Sequence, residues 1–372
     1  MGIEVELDRR NLLLGTVAAI GANAYPASLM ANSAMLPAFA SAARRNSNSY
    51  SIVLLSASGQ LLREIPLSAR GHDIAVHRAT HRAVAFARRP GTFAVAFEID
   101  RPTPPHIFTA LANRHFFGHG AFSHDGRLLY VTENDIPAAR GVIGIYDVAR
   151  NYTKIGEYPS YGLGPHEIIV LQDGRTLAIA NGGLDTMPEA GRENLNRDAM
   201  DASLTFVDAQ SGALVARHTL TSDLKQLSLR HIAADHQGRV WFGGQWEGDP
   251  GAAPGLIGYA GRDTRPEIIN APIDDSDYLK GYIGSVAIST DGRIFAASAP
   301  KAGRIVYLDT QTKRIISESI LKDACGLAGE TPSTFAASSG FGDLRHETSA
   351  SHVISQTQIS DIAFDNHLRR MS

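Results

Sequence analysis

Three histidines recur in this chain at a constant interval: Gly71-His72, Gly118-His119 and Pro165-His166 are spaced 47 residues apart. Two more, His231 in Arg230-His231-Ile232 and His367 in Asp365-Asn366-His367, fall at the same point of later segments. Neutral imidazole is a borderline ligand that suits iron, copper and zinc. Five imidazoles brought to one place would therefore hold a transition metal ion or a haem-type iron. Glu167, next to His166, offers a carboxylate that could ligate or could orient a ring. Asp73 beside His72 and Asn366 beside His367 are placed for the same duty. Neighbours on a regular strand point to opposite faces, so only one of each pair is expected to face the site, and the repeat phase favours the histidine.

Two other readings of the same residues stand beside the metal. A histidine at a repeat boundary can be architectural, its ring bonded to a backbone carbonyl of a neighbouring turn, or it can act as an acid–base group. Two segments carry Ser285 and Gly326 where the others carry histidine, and such gaps suit a site built on one side better than a device needed in every unit. Arg230 would meet an anion or an insert carboxylate, and Glu133, Asn134 and Asn181 stand in polar inserts expected on the histidine-bearing face. Cys325 is either a thiolate ligand or a small buried apolar residue. His115 and His124, in a connection and a turn, read as surface residues. No phosphate-binding glycine loop, nucleophile elbow or His-Glu-x-x-His helix is present, so no catalytic residue can be named.

What must position the histidines is a repeat. A period of 40–50 residues containing several short strands marks a β-propeller. Asp125-Gly126-Arg127 recurs as Asp173-Gly174-Arg175, Gln237-Gly238-Arg239 and Asp291-Gly292-Arg293, each a hairpin turn at one phase of a unit. Apolar strands ending in aspartate recur after them, as in Leu204–Asp208 and Ile305–Asp309. Seven four-stranded units can be laid out. Both ends are incomplete alone: Phe39–Arg45, Tyr50–Ser56 and Gln60–Pro66 lack an inner strand, and Asp361–Leu368 lacks partners. The expected fold is an all-β, seven-bladed propeller forming one domain over residues 38–368, closed by N- and C-terminal strands paired in one blade, which leaves no open sheet edge. The histidines, at the starts of inner strands, would then gather at one mouth of the central channel. The inserts Glu133–Arg140, Gly182–Asp201 and Gly244–Pro254 would wall that mouth.

A net charge of −3 gives no reason to expect nucleic acid as a partner. One cysteine excludes an internal disulfide, so packing and strand pairing must hold the fold. Arg9-Arg10 stand directly before the apolar run Leu12–Ala22, a stretch too short to span a bilayer. Residues 1–24 are read as a twin-arginine signal peptide, with cleavage after Ala24 or as late as Ala40, although Asp8 stands where such signals usually carry Ser or Thr. The mature protein is expected in the periplasm, without a membrane span and as a monomer.

Several motifs carry a resemblance: Gly71–His77, Phe86–Thr92, Phe117-Gly118-His119-Gly120, Tyr130–Asp135, Gly164–Glu167, Ala180–Gly183 and Asp365–Leu368. Over roughly residues 50–368 the chain is similar to the bacterial domain of unknown function family 1513, departing from it in the polar stretch Gly340–Ser351. The resemblance implies an exported, propeller-like protein without an assigned activity. It also implies company in iron-responsive periplasmic systems, with imelysin-like and di-haem peroxidase-like proteins as expected partners. The function expected on all of this is a periplasmic propeller that binds a metal or metal-bearing ligand in service of iron acquisition. The alternatives are a metal-dependent, lactonase-like propeller hydrolase and a non-catalytic interaction scaffold with structural histidines.

Overall fold

The computed structural model describes residues 35–185, 196–252, 254–269 and 278–372; the expected signal peptide lies outside them. Seven antiparallel sheets follow one another along the chain. Numbered by their inner strands, blades one to six begin at Gly71–His77, Arg114–Phe122, Pro165–Val170, Leu227–Ala234, Ser285–Ile288 and Ala324–Gly329. Each has four strands in simple up-and-down order. Blade seven is assembled from both ends of the chain. Phe39–Arg45 pairs with Tyr50–Leu55 on one side and with the C-terminal Ile362–Phe364 and Arg369–Arg370 on the other. Among the described residues no helix is long and apolar enough to cross a membrane.

The expected turns are present for the expected reason. Gly126, Gly174, Gly238 and Gly292 adopt φ between +65° and +76°, a left-handed conformation that side chains resist. The hydrophobic core lies between blades. Val84 and Phe86 of blade one pack with Phe116, Leu129 and Tyr146 of blade two, and Val53 and Leu55 of blade seven pack with Ala336 and Leu344 of blade six. The polar departure at Gly340–Ser351 contains a strand, Asp343–Thr348, bulged between His346 and Glu347. Its buried Glu347 is satisfied by Tyr307 Oη at 2.6 Å and Ser319 Oγ at 2.8 Å from blade five, so its polarity serves the blade contact.

The inner strands are not regular, and the irregularity matters. Their pairing with the second strand slips between Gly71 and Ile74, Phe116 and Gly120, Pro165 and Ile168, Leu229 and His231, and Ala324 and Leu327. These bulges fall on the histidine-bearing residues of blades one to four and on Cys325-Gly326 in blade six. A bulge bends the strand and re-aims side chains. The rule that only one of two neighbours faces inward therefore fails here.

Candidate metal centre

His72, His119, His166, His231 and His367 come from blades one, two, three, four and seven, a contiguous arc of the ring, and all five are buried. Their rings meet. Centroids lie 4.6 Å apart for His119–His166, 4.7 Å for His72–His367, and 4.9 Å for both His166–His231 and His231–His367. His119 is the pivot. It belongs with His72 and His166, with His231 and His367, and with Asp73 and Glu167, and in each trio the donor atoms lie within 4.8 Å of one another.

Local sequence holds this arrangement. Gly118 sits in the bulge at φ +99°, and a Cβ there would stand 2.7 Å from Cδ2 of His72, so only glycine lets the two blades approach. Thr132 Oγ1 donates to the carbonyls of both His119 and His166, at 3.1 and 3.2 Å, pinning two bulges at once. Ser41 Oγ does the same for His367 at 2.6 Å. Blade six carries no histidine because the C-terminal segment occupies its place: a Cβ on Gly326 would lie 2.3 Å from the backbone nitrogen of Leu368.

Because of the bulges, Asp73 and Glu167 reach the cluster alongside their histidine neighbours. His119 Nδ1 donates to Asp73 at 2.9 Å, His72 Nδ1 to Asp365 at 3.1 Å and His231 Nδ1 to Glu167 at 3.3 Å. A carboxylate can only accept, so each of these rings carries its proton on Nδ1 and directs the Nε2 lone pair away. Arg369 lies between two of the carboxylates, with Nε and Nη2 on Asp73 at 2.6 and 2.7 Å and Nη2 also on Glu167 at 2.6 Å. Arg70 and Arg88 hold Asp365, at 2.6 and 3.0 Å.

The charge states follow. Burial disfavours the imidazolium, lowering His72 to about 3 against the pull of Asp365. Burial also lowers His166 and His367 well below the usual range, and His231 in the same direction despite Glu167. Burial pushes the carboxylates up, but Arg369 and the neighbouring histidines outweigh it, leaving Asp73 well below its ordinary value and Glu167 at about 2. His72, His166, His231 and His367 are thus neutral imidazoles beside ionised carboxylates, the protonation a metal requires. His119 Nε2, His166 Nδ1 and His367 Nε2 are buried and meet no hydrogen-bonding partner among the described residues. Buried polar atoms rarely remain so, and three in one cluster suit a ligand that accepts lone pairs.

The remaining candidates divide. Asn366 and Arg230 line a cavity of about 170 Å³ together with His72, His166 and His231. Asn366 donates to Tyr282 Oη at 3.2 Å, and Arg230 faces Glu247 at 3.6 Å. Glu133 and Asn134 belong to the regular strand Leu128–Asp135, where the polar insert was expected. Glu133 accepts from Tyr146 Oη at 2.7 Å and Lys154 Nζ at 2.8 Å inside blade two, away from the histidines. Asn134 lies 3.4 Å from His115 Nε2, and Asn181 Nδ2 is spent on Ser160, Ser203 and Thr205. His124 is exposed as expected, but His115 is buried, because the inner strand of blade two starts at Arg114. Burial raises the Cys325 thiol well above its ordinary range, so it stays protonated, the apolar alternative of the two readings. Asp365 and Arg369, both central, were missed by sequence reasoning. The histidine phase could not flag them, although the acid–histidine spacing of Asp365-Asn366-His367 was a signal for the first.

Comparison with known proteins bears on the fold and the family. The chain superimposes on the hydrazine synthase of Kuenenia stuttgartiensis with a TM-score of 0.59 at 13% identity, over 85% of this chain and 91% of that one. A functionally unknown protein from Desulfotomaculum acetoxidans gives 0.60 at 12% identity, over 90% and 98% of the respective chains. At such identities the likeness is one of fold alone. No curated protein matches the chain. A family model described as "Protein of unknown function (DUF1513)" matches residues 65–371, a stretch that holds all five histidines, Asp73, Glu167 and Arg369, and the chain belongs to that family.

Proposed function

We propose that this protein binds one transition metal ion through its imidazole cluster at one mouth of the propeller channel, with His119 central and His72, His166, His231 and His367 around it. The observation that carries the reading is the set of three buried, unpartnered ring nitrogens. Nitrogen donors favour iron, copper or zinc over magnesium or calcium. Asp73, Asp365 and Glu167 serve as acceptors that orient the rings. The adjoining cavity of about 170 Å³ is close in size to one that holds a single benzene, which favours a bare ion over a haem. The paired Arg9-Arg10 before an apolar run support export by the twin-arginine route to the periplasm, and a role in iron acquisition there fits the resemblance drawn above. Association with imelysin-like or di-haem peroxidase-like proteins belongs to the same proposal.

The test is metal content. Protein purified without a histidine tag and equilibrated with iron(II), copper(II) or zinc is expected to retain about one equivalent of at least one of them after dialysis. The His119→Ala/His166→Ala variant is expected to retain less than about a tenth of that, with its strand content by circular dichroism preserved. Wild type that retains nothing, or a folded double variant that retains as much as wild type, overturns the proposal.

A further inference from the structure

We propose that the central channel, beyond the imidazole cluster, binds an uncharged small molecule whose apolar body carries a hydrogen-bond acceptor such as a carbonyl oxygen. This inference does not rest on the metal reading.

Beyond the histidines the channel is a cavity of about 570 Å³, with Asp73, Glu167 and Arg369 at the end that meets the cluster. Six of the seven inner strands wall it, through residues 74–76, 120–122, 168–170, 232–234, 286–288 and 327–329. None of these residues has a polar side chain. Three residues of strand make a wall about 10 Å deep. Packing between blades accounts for the members that are fully buried. It leaves over Val76, Ala121, Ile169, Ala233 and Ile288, which come from five different blades and are only half-buried where they line the cavity. Apolar surface kept inside a concave space is what an apolar ligand body covers. A cavity of about 150 Å³ holds one benzene, so this one admits about twenty heavy atoms.

The polar groups along the wall are neutral. Each of the six strands is paired on its outer side only, so peptide N–H and C=O groups of alternate residues face the channel. The charges stand at the two ends. At the floor, Arg369 commits Nε and Nη2 to Asp73 and Glu167, while Nη1 makes no hydrogen bond among the described residues. The charge of Arg369 is therefore met and a donor is left over, which suits a neutral acceptor better than an anion. At the other end Arg78 and Arg370 bond the carbonyl oxygens of Arg370 and Glu330, at 3.1 and 2.9 Å. Between the two ends the cavity wall carries no charged side chain.

The test uses N-phenyl-1-naphthylamine, a neutral probe that fluoresces in apolar surroundings. The purified protein is expected to bind it saturably, at about one equivalent. Ile169→Gln and Ile288→Gln, in different blades, are each expected to weaken the probe about tenfold while strand content by circular dichroism is preserved. Competition on the wild-type protein decides without any variant. Benzophenone is expected to displace the probe at least as well as diphenylmethane, which has the same two rings without the carbonyl, and about tenfold better than the anion diphenylacetate. Absence of saturable binding, or unchanged affinity in the folded variants, overturns the inference. Displacement by diphenylmethane or diphenylacetate in preference to benzophenone also overturns it. Each of these results leaves the metal reading standing.

Discussion

In the first blades one histidine stands in the bulge of the inner strand, the near end, and another at or just past its far end, and the two could hardly be used more differently. His77 and His124 stand 47 residues apart, just as His72 and His119 do. At the far end, His77 bonds Thr80 Oγ1 at 2.7 Å through Nδ1 and the carbonyl of His124 at 3.2 Å through Nε2. Its ring lies against the turn glycine of the next blade, where a Cβ on Gly126 would be 2.6 Å from it. His124 stands over Gly174 and His236 over Gly292 in the same manner. That series is architecture: each histidine lies against the neighbouring turn glycine, and the His77 ring spends one nitrogen on that turn's backbone. At the near end the rings contact one another, bond carboxylates and leave nitrogens unused. One period therefore carries two kinds of histidine. Phase gives a residue's place in its blade, and what the ring touches gives its role.

The sharpest way to break the comparison is to remove the cation that bridges the near-end carboxylates. Arg369→Ala leaves Asp73 and Glu167 buried and unmatched. Stranding a buried charge costs about 3–5 kcal/mol. The lower part of that range is expected, since 29% of the Arg369 side chain is open to solvent. Urea denaturation of the chelator-treated protein measures it. A bound divalent ion should recover part of the loss by neutralising the same carboxylates. A loss under about 1 kcal/mol would mean that the carboxylates are hydrated or protonated and that the near end is not the charged layer described here.

Acid provides the next test, of intermediate size. His72 titrates near 3 when folded against 6.5 when free, and His166, His231 and His367 are displaced the same way. The unfolded chain therefore binds more protons than the folded one as pH falls below about 6.5, and stability must decline with acidity. The slope reaches about 1.4 kcal/mol per pH unit for each such ring, continuing to about pH 3 for His72. Glu167, lowered from 4.5 to about 2, adds a loss of the same sign in that lower window. Metal-free protein should thus show a urea midpoint that is flat above pH 7 and falls between pH 6.5 and 5, with a shallower fall in the His119→Ala/His166→Ala variant. An equal midpoint at pH 7 and pH 5 would contradict the neutral, desolvated cluster.

Much of this was legible in the sequence, for reasons that differ by level. The blades are legible because each turn needs a residue at positive φ and each buried strand needs an apolar run, so Asp173-Gly174 and Leu204–Asp208 declare themselves. Blade closure is legible because Phe39–Arg45 has no inner partner within its own hairpins. The five histidines follow from phase. Asp73 and Glu167 taking their places beside His72 and His166 does not, since alternation forbids it and only the bulges at Gly71/Ile74 and Pro165/Ile168 permit it. Arg369 is illegible for another reason. Its partners lie 296 and 202 residues away, and nothing local to Leu368-Arg369-Arg370 distinguishes it from a surface arginine. Glu133 erred the opposite way: a polar residue in an apparent loop proved to be a buried strand residue, because a tyrosine and a lysine from the two outer strands of the same blade satisfy it.

The smallest expected effect belongs to the far end, and it is the control that gives the others meaning. His77→Ala with His124→Ala removes a half-buried ring whose hydrogen bonds go to a backbone carbonyl and a threonine, and an exposed ring that lies against Gly174. An exposed hydrogen bond of this kind contributes about 0.5–1.5 kcal/mol, so the double variant should lose about 1–2 kcal/mol in urea denaturation. Retained iron, copper or zinc should stay within about twofold of wild type, because neither ring lies in the cluster that holds the unpartnered nitrogens. The equally spaced pair His119 and His166 should show the reverse pattern, losing metal and little else. If instead the far-end variant lost metal in proportion to the near-end one, the period would be the site and the distinction between the two series would collapse.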